Sequence, residues 1–133
     1  MNDRILQVIN HPLHRYLGVA DVRSEDGAGS FSFTVGDATV NPADALHGGV
    51  VYLLCDVCAY LGLLSVLADD MEAVTHDLHV SVLRAAGRGD VVRMASRILK
   101  KGKSLCFIDV SAAVSGRLIA SARITKSLIK KTA

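Results

Sequence analysis

Residues 50–68 read VVYLLCDVCAYLGLLSVLA, and the fold turns on what this stretch can be. Asp56 is its only charged side chain. A run this apolar is long enough to span a bilayer. A carboxylate near its middle, however, is expensive in lipid, and Asp69 and Asp70 follow where basic flanks would anchor a span. The alternative is a buried core helix from about His47 or Gly48 to Leu67, roughly 30 Å long if continuous. A helix apolar nearly all round has to be enclosed by the rest of the chain.

C-terminal to the helix the hydrophobic period changes to two. Val74, His76, Leu78, Val80 and Val82 alternate with Thr75, Asp77, His79, Ser81 and Leu83, which reads as a strand. Val91–Leu99, Leu105–Val114 and Leu118–Ile129 read as three more, with turns at Ala86–Gly89, Lys100–Ser104 and Ser115-Gly116. Connections this short call for successive antiparallel hairpins. On the N-terminal side, Asp3–Asn10 reads as a short helix that Pro12 ends. Two strand-like runs occupy Tyr16–Val35 around a turn at Ser24–Gly29, and Phe31, Phe33 and Val35 alternate with polar residues. A loop over Thr39–Leu46 then leads into the long helix. The expected architecture is α+β: one domain over 1–133, with a curved antiparallel sheet wrapped around the helix.

Composition agrees and narrows the function. The chain has 133 residues, enough for a single hydrophobic core. Half of them are hydrophobic but only 5% are aromatic, so the apolar weight lies in aliphatic side chains. That much aliphatic surface on a small domain points to a subunit interface. A net charge of +2 gives no footprint for nucleic acid. Residues 1–18 contain no apolar signal segment. Three cysteines, Cys55, Cys58 and Cys106, read as reduced thiols of a cytoplasmic protein. No membrane association is expected.

The chemistry concentrates in Asn41-Pro42-Ala43-Asp44-Ala45-Leu46-His47-Gly48-Gly49 and in Asp56. Glycines weaken a helix start, but they let a ligand approach first-turn N–H groups at the positive end of the helix dipole. Such amides can stabilise the oxyanion of a tetrahedral intermediate. Taken alone, the Gly48-Gly49 pair reads rather as a tight loop-to-helix entry or a close packing contact. Asp56 lies among Leu53, Leu54, Val57 and Ala59, where a carboxylate is costly unless polar partners hold it. Such groups are candidates for nucleophile or general base. The competing reading is a structural aspartate bonded to Thr75, Asn41 or a tyrosine. Gly48 and Asp56 are separated by roughly 12 Å along one helix, whereas both must lie about 3 Å from one reacting carbonyl. If both act, two copies of the helix packed antiparallel have to share each site.

Across about residues 10–129 the sequence resembles the PaaI-type branch of the hotdog-fold thioesterases. The matching pattern is Asn41, His47-Gly48-Gly49 and Asp56, followed by Val74-Thr75-His76-Asp77-Leu78 and Val82-Leu83-Arg84-Ala85-Ala86. Ala85 stands where that family commonly has proline. The resemblance implies a hotdog fold and hydrolysis of aryl- or medium-chain acyl-CoA thioesters without a metal or other cofactor. It implies Asp56 as nucleophile or as base on water, and the Gly48 amide as oxyanion donor. Asn41 would orient Asp56, the water or the carbonyl; His47 would contact the carbonyl or fix the loop; Thr75 would lie beside the reaction centre. It further implies a homodimer or a homotetramer of two dimers. Gly49 would help hold the substrate. From the residues themselves, the basic cluster Lys100, Lys101 and Lys103 reads as a solvated turn or, together with Arg84 and Arg88, as a group meeting the CoA phosphates.

Other signals fall away. Gly102-Lys103-Ser104 lacks the first glycine of a P-loop, since Arg97 stands there. Cys55-x-x-Cys58 has no second ligand pair and sits within a helix. His76 and His79 fall on opposite faces of a regular strand, which removes them as a metal pair. No Gly-x-Ser-x-Gly elbow is present. The acyl carrier protein dehydratase reading lacks its His-Phe-Pro loop. The alternative from another class is a non-catalytic acyl-CoA binding or sensing protein of the same fold. Tyr52, Leu53, Tyr60 and Leu63 are candidates to line the acyl pocket.

Overall fold

A computed structural model describes residues 2–132, so the ends of the expected 1–133 domain, residues 1 and 133, lie outside the described residues. The apolar stretch forms one helix, α3, over Gly48–Leu64. It follows α1 (Asp3–Asn10), α2 (Pro12–Tyr16), β1 (Ala20–Glu25) and β2 (Ala28–Thr34). Four strands come after it: β3 (Met71–Val82), β4 (Val91–Lys101), β5 (Leu105–Val114) and β6 (Arg117–Lys130). All six strands join one antiparallel sheet in the order β1-β2-β4-β5-β6-β3. This is the central helix on an antiparallel sheet that the hotdog resemblance implied. No helix among the described residues is long and apolar enough to cross a membrane.

The core forms where α3 meets the inner face of the sheet. Leu54, Cys58, Ala59, Leu61 and Leu63 are fully enclosed there with Phe31, Phe33, Met94, Ile108 and Ile124. At one point backbone meets backbone. A Cβ on Gly62 would lie 2.8 Å from the Gly29 nitrogen, and one on Gly29 would lie 2.7 Å from the Gly62 nitrogen. Glycine at both positions is what lets α3 rest on β2.

Several details differ from the sequence expectation. Pro12 not only ends α1 but also opens α2, with His11 as its N-cap; proline suits the first turn because its missing N–H needs no partner there. The first hairpin is tighter than expected, turning at Asp26-Gly27, both at positive φ. The helix is not enclosed all round: Gly49 and Tyr52 are exposed, and Gly48, Leu53, Asp56 and Tyr60 are partly so.

The β3–β4 link is no hairpin. β3 pairs only with β6 and lies at the sheet edge, with β6 and β5 between it and β4. Residues 83–90 are long enough to cross the end of the sheet. They are fixed on the way by the Ile119 carbonyl, which accepts from the Leu83 and Arg84 amides, and by the Val35 carbonyl, which accepts from Gly89.

A β-bulge between Thr75 and Asp77 breaks the expected alternation of β3. Thr75 stands opposite Lys126 and Leu78 opposite Ile124, so an odd residue before the bulge shares the inner face with even residues after it. The same irregularity removes the alternation argument that separated His76 from His79. Among the described residues no group of three or more His, Cys, Asp or Glu side chains forms a metal site.

Candidate active site

Asp56 sits midway along the partly open stripe of α3, its side chain 32% exposed. It is less enclosed than the sequence implied, because it opens into a cavity of about 450 Å³ that Tyr60, Thr75, Lys126, His11 and His14 help line. The Thr75 hydroxyl donates to Asp56 Oδ1 at 2.7 Å, and Lys126 Nζ donates to the same oxygen at 2.9 Å. Lys126 Nζ also donates to Thr75 Oγ1 at 2.9 Å, which closes a triangle. Asp56 Oδ2 accepts no hydrogen bond among the described residues. One carboxylate oxygen is held while the other is left to the cavity.

The cavity's remaining walls are mostly committed. Tyr60 donates its hydroxyl to Glu72 Oε1 at 2.9 Å. Burial, and then that hydrogen bond, push its phenol up to about 12, so it stays neutral. Arg4 donates to the carbonyls of Leu67, Ala68 and Met71, tying α1 to the link that follows α3 and to the start of β3. His14 Nδ1 lies 2.9 Å from the Val8 carbonyl oxygen, and burial holds its pKa below the ordinary value. Of the residues expected to line an acyl pocket, Tyr60 lines this cavity, whereas Leu63 is buried in the core.

The glycine loop lies at the other end of the stripe. His47 caps α3, its Nδ1 accepting from the Gly49 amide at 3.0 Å. That uses up the Gly49 N–H, whereas the Gly48 amide has no acceptor among the described residues. Asn41 Oδ1 accepts from the Ala43 and Ala45 amides and so builds the loop ahead of the helix. Within one chain Asn41 belongs to the Gly48 end and does not touch Asp56.

The expected CoA-binding cations divide between the same two ends. Lys101 stands opposite Cys106, which stands opposite Lys126; Lys101 and Lys103 therefore flank the Asp56 end without ion-pair partners among the described residues. Arg84 and Arg88 lie in the crossover link near the Gly48 loop, bridged to it by Ala45 and Gly87. Arg88 is taken up by Asp37 and Asp44, so it ties loops together instead of standing free for a phosphate. Cys55 and Cys58 are held by burial with thiols near 12, far from thiolate chemistry.

Lys126 is the residue that the sequence reading missed. Its signal is a single cation in the buried even series Ala120, Ala122, Ile124, Lys126, Leu128 of β6.

The profile of the thioesterase superfamily matches residues 44–117, from the glycine loop to the start of β6 and more than half of the chain. The chain belongs to the thioesterase superfamily. Among its relatives in that superfamily is acyl-coenzyme A thioesterase 13 of Homo sapiens, 31% identical over 90 residues, which cover 66% of this chain and 64% of that protein. The chain thus spans about 64% of the length of the curated relatives it matches. The superfamily chain also shares its fold with the E. coli PaaI protein of the phenylacetic acid degradation operon, with a TM-score of 0.84 and 22% identity over 96% of this chain and 91% of that one. A thioesterase from Streptococcus pneumoniae TIGR4, whose structure holds coenzyme A, aligns with a TM-score of 0.78 and 23% identity over 85% of this chain and 90% of that one.

Proposed function

We propose that this superfamily member hydrolyses acyl-CoA thioesters to the free acid and CoA, with Asp56 as the catalytic carboxylate. The observation that carries the reading is the held carboxylate: Oδ1 takes two hydrogen bonds while Oδ2 is left to the cavity. As a base, Oδ2 takes a proton from a water molecule whose own oxygen attacks the thioester carbonyl. As a nucleophile, it attacks the carbonyl itself, and water then cleaves the resulting anhydride. In both routes the carbonyl oxygen gains charge and the C–S bond breaks; CoA ends as the thiol, its proton coming from Asp56 in the base route and from the water that cleaves the anhydride in the nucleophile route. The unbonded Gly48 amide at the positive end of α3 is the donor for that charge.

The proposed unit is a homodimer with shared sites. β3 is a free edge carrying exposed Val74 and Val82 with Leu83 just beyond, the kind of edge that natural proteins cover or pair. Pairing it antiparallel with its twin about Leu78 and His79 sets Thr75 opposite Val82 of a second copy. Ala86 follows shortly after, and its carbonyl holds Leu46, two residues ahead of Gly48. The Asp56 end of one copy would then meet the Gly48 end of the other, along with Asn41 and Arg84. Lys101 and Lys103 lie on the Asp56 side of that junction, within the same copy. Two such dimers make the tetramer. Three unpaired, buried cysteines fit a reducing cytoplasmic setting.

The test is thiol release by the purified protein across aryl- and medium-chain acyl-CoA esters, beside Asp56→Asn. Turnover of at least one ester, with Asp56→Asn folded but slower by about 10² to 10⁴, is the expected result. A protein that binds a non-hydrolysable analogue yet releases no thiol on any ester is a binding protein instead. A folded Asp56→Asn with wild-type kcat removes Asp56 from the chemistry.

A further inference from the structure

The Lys126 ammonium lies at a position where packing alone calls for an aliphatic side chain. Its neighbours in the even series are Ile124 and Leu128, both buried, and its own side chain is only 3% exposed. Removing an ammonium from water carries a penalty that pairing with a carboxylate seldom more than offsets, and a hydrophobic pair of similar volume often stabilises a fold as well. The fold itself therefore gives no reason for a lysine facing Asp56. The site does.

An ammonium has three N–H donors and no lone pair. Toward Thr75 Oγ1, at 2.9 Å, it can only donate. That contact leaves the hydroxyl proton free to point at Asp56 Oδ1, 2.7 Å away. A second N–H goes to Oδ1 directly at 2.9 Å. The ammonium also lies 5.6 Å from the centre of the Tyr60 ring, within reach of its negative face. These three elements, α3, β3 and β6, meet on one carboxylate oxygen. The β3 bulge is what brings Thr75 into the group.

We infer that Lys126 is a positioning residue of the hydrolytic site: it directs the Thr75 hydroxyl and fixes Asp56 by Oδ1, so that Oδ2 is the oxygen that reacts. This rests on Asp56 being the catalytic carboxylate. Lys126 acts through Asp56 and Thr75, the two groups to which it donates. Without it, Asp56 and Thr75 keep their mutual hydrogen bond but lose the cation that sets its direction, and the carboxylate can rotate.

The experiment compares Lys126→Met, Lys126→Arg, Asp56→Asn and the Asp56→Asn/Lys126→Met double variant. Its readouts are thiol-release kinetics, affinity for a non-hydrolysable acyl-CoA analogue and thermal midpoint. Misplacing a reacting group by about an ångström is worth roughly 10²-fold in rate. Lys126→Met should lower kcat by about 10- to 100-fold while KM and analogue affinity stay close to wild type. Lys126→Arg, which keeps a cation with several donors, should recover part of the loss. In the Asp56→Asn background Lys126→Met should have no further effect on kcat. If Lys126→Met does not fold, Lys126→Gln keeps an N–H donor without the charge and should show the same kcat loss. Wild-type kcat in folded Lys126→Met or Lys126→Gln overturns the inference, as does an equal kcat loss in single and double backgrounds. If instead Asp56→Asn alone keeps wild-type kcat, the assignment of Asp56 fails first, and the two failures are told apart.

Discussion

Gly48 and Asp56 lie on the same partly open stripe of α3, each at least partly accessible, with Tyr52 between them. Two turns of helix hold them roughly 12 Å apart, and no rotation of either residue closes that gap. If both act on one carbonyl, that rigid spacing requires two antiparallel copies of the helix.

The first prediction removes the Gly48 N–H without removing the helix. Gly48 is the first residue of α3, and His47 before it has φ −68° and ψ 128°, the extended region that a following proline requires. Proline is well tolerated at a first helical position. Gly48→Pro should therefore stay folded and helical by circular dichroism, yet lose about 10² to 10³ in kcat if that amide is the oxyanion donor. Unchanged turnover in a folded Gly48→Pro protein removes the amide from the mechanism.

Sharing gives the second prediction a sharper form. Mixed and allowed to exchange subunits, inactive Gly48→Pro and inactive Asp56→Asn chains form mixed dimers in which one of the two sites has both functional groups. Activity should then rise to about a quarter of the wild-type level at equal proportions. If the mixture stays inactive after exchange has been verified by labelled subunits, each site is built from a single chain.

The third prediction concerns the seat of the helix. An added methyl at Gly62 meets the Gly29 nitrogen and the Ser96 hydroxyl, both at 2.8 Å, and backbone cannot move aside as a flexible side chain can. Ser96 is already fixed there, donating to the Cys58 carbonyl at 2.7 Å. Gly62→Ala should cost about 1–3 kcal/mol through overpacking, despite alanine's better helix propensity. A thermal midpoint equal to or above wild type would show that α3 can lift from β2.

These cases also mark what a one-dimensional reading reaches. Residues 50–68 announce their helix because no charge but Asp56 interrupts them, and the later strands announce themselves by period. What escapes is whatever depends on a partner far along the chain. Gly62 is only a weak helix residue until Gly29 lies beneath it. Lys126 is one of several lysines near the C-terminus until the sheet turns it inward to Asp56. In the sequence Thr75 alternates away from Leu78, because a bulge leaves no mark in the period. The β3–β4 link reads as a hairpin because its length permits one; that β6 takes the place beside β3 is decided by the whole sheet. Asn41, His47, Gly48 and Asp56 stand out in the sequence through the family pattern they resemble, and the loop uses Asn41 and His47 for its own turns.

The fourth prediction separates free cations from committed ones. Lys101 and Lys103 lack ion-pair partners among the described residues, whereas Arg88 already holds Asp37 and Asp44. The double reversal Lys101→Glu/Lys103→Glu should raise KM for acyl-CoA about two- to tenfold with little change in kcat. The effect should shrink as salt screens it. Equal KM values at low salt would leave those lysines as a solvated turn. Arg88→Gln should act instead on thermal stability, by loosening the glycine loop.

The last prediction follows from His14, which closes one side of the Asp56 cavity. Burial lowers its pKa, and the nearby His11 ring, stacked at 4.5 Å, adds to this, against the raising effect of the Val8 carbonyl. The folded protein therefore keeps His14 neutral at a pH where the unfolded chain already protonates it. Above about pH 6.5, the ordinary histidine value, neither state binds the proton and His14 makes no difference to the pH dependence. As pH falls through that value the unfolded state gains a proton that the folded state does not, so stability drops until the lower, folded value is reached. Asn at position 14 can still donate an amide N–H toward the Val8 carbonyl but does not titrate. Between pH 7.5 and 5.5 the thermal midpoint of the wild type should accordingly fall further than that of His14→Asn. Carboxylates contribute to both proteins alike, so the difference between the two slopes isolates the histidine. Parallel slopes would show that His14 takes up its proton as readily in the folded state as in the unfolded one.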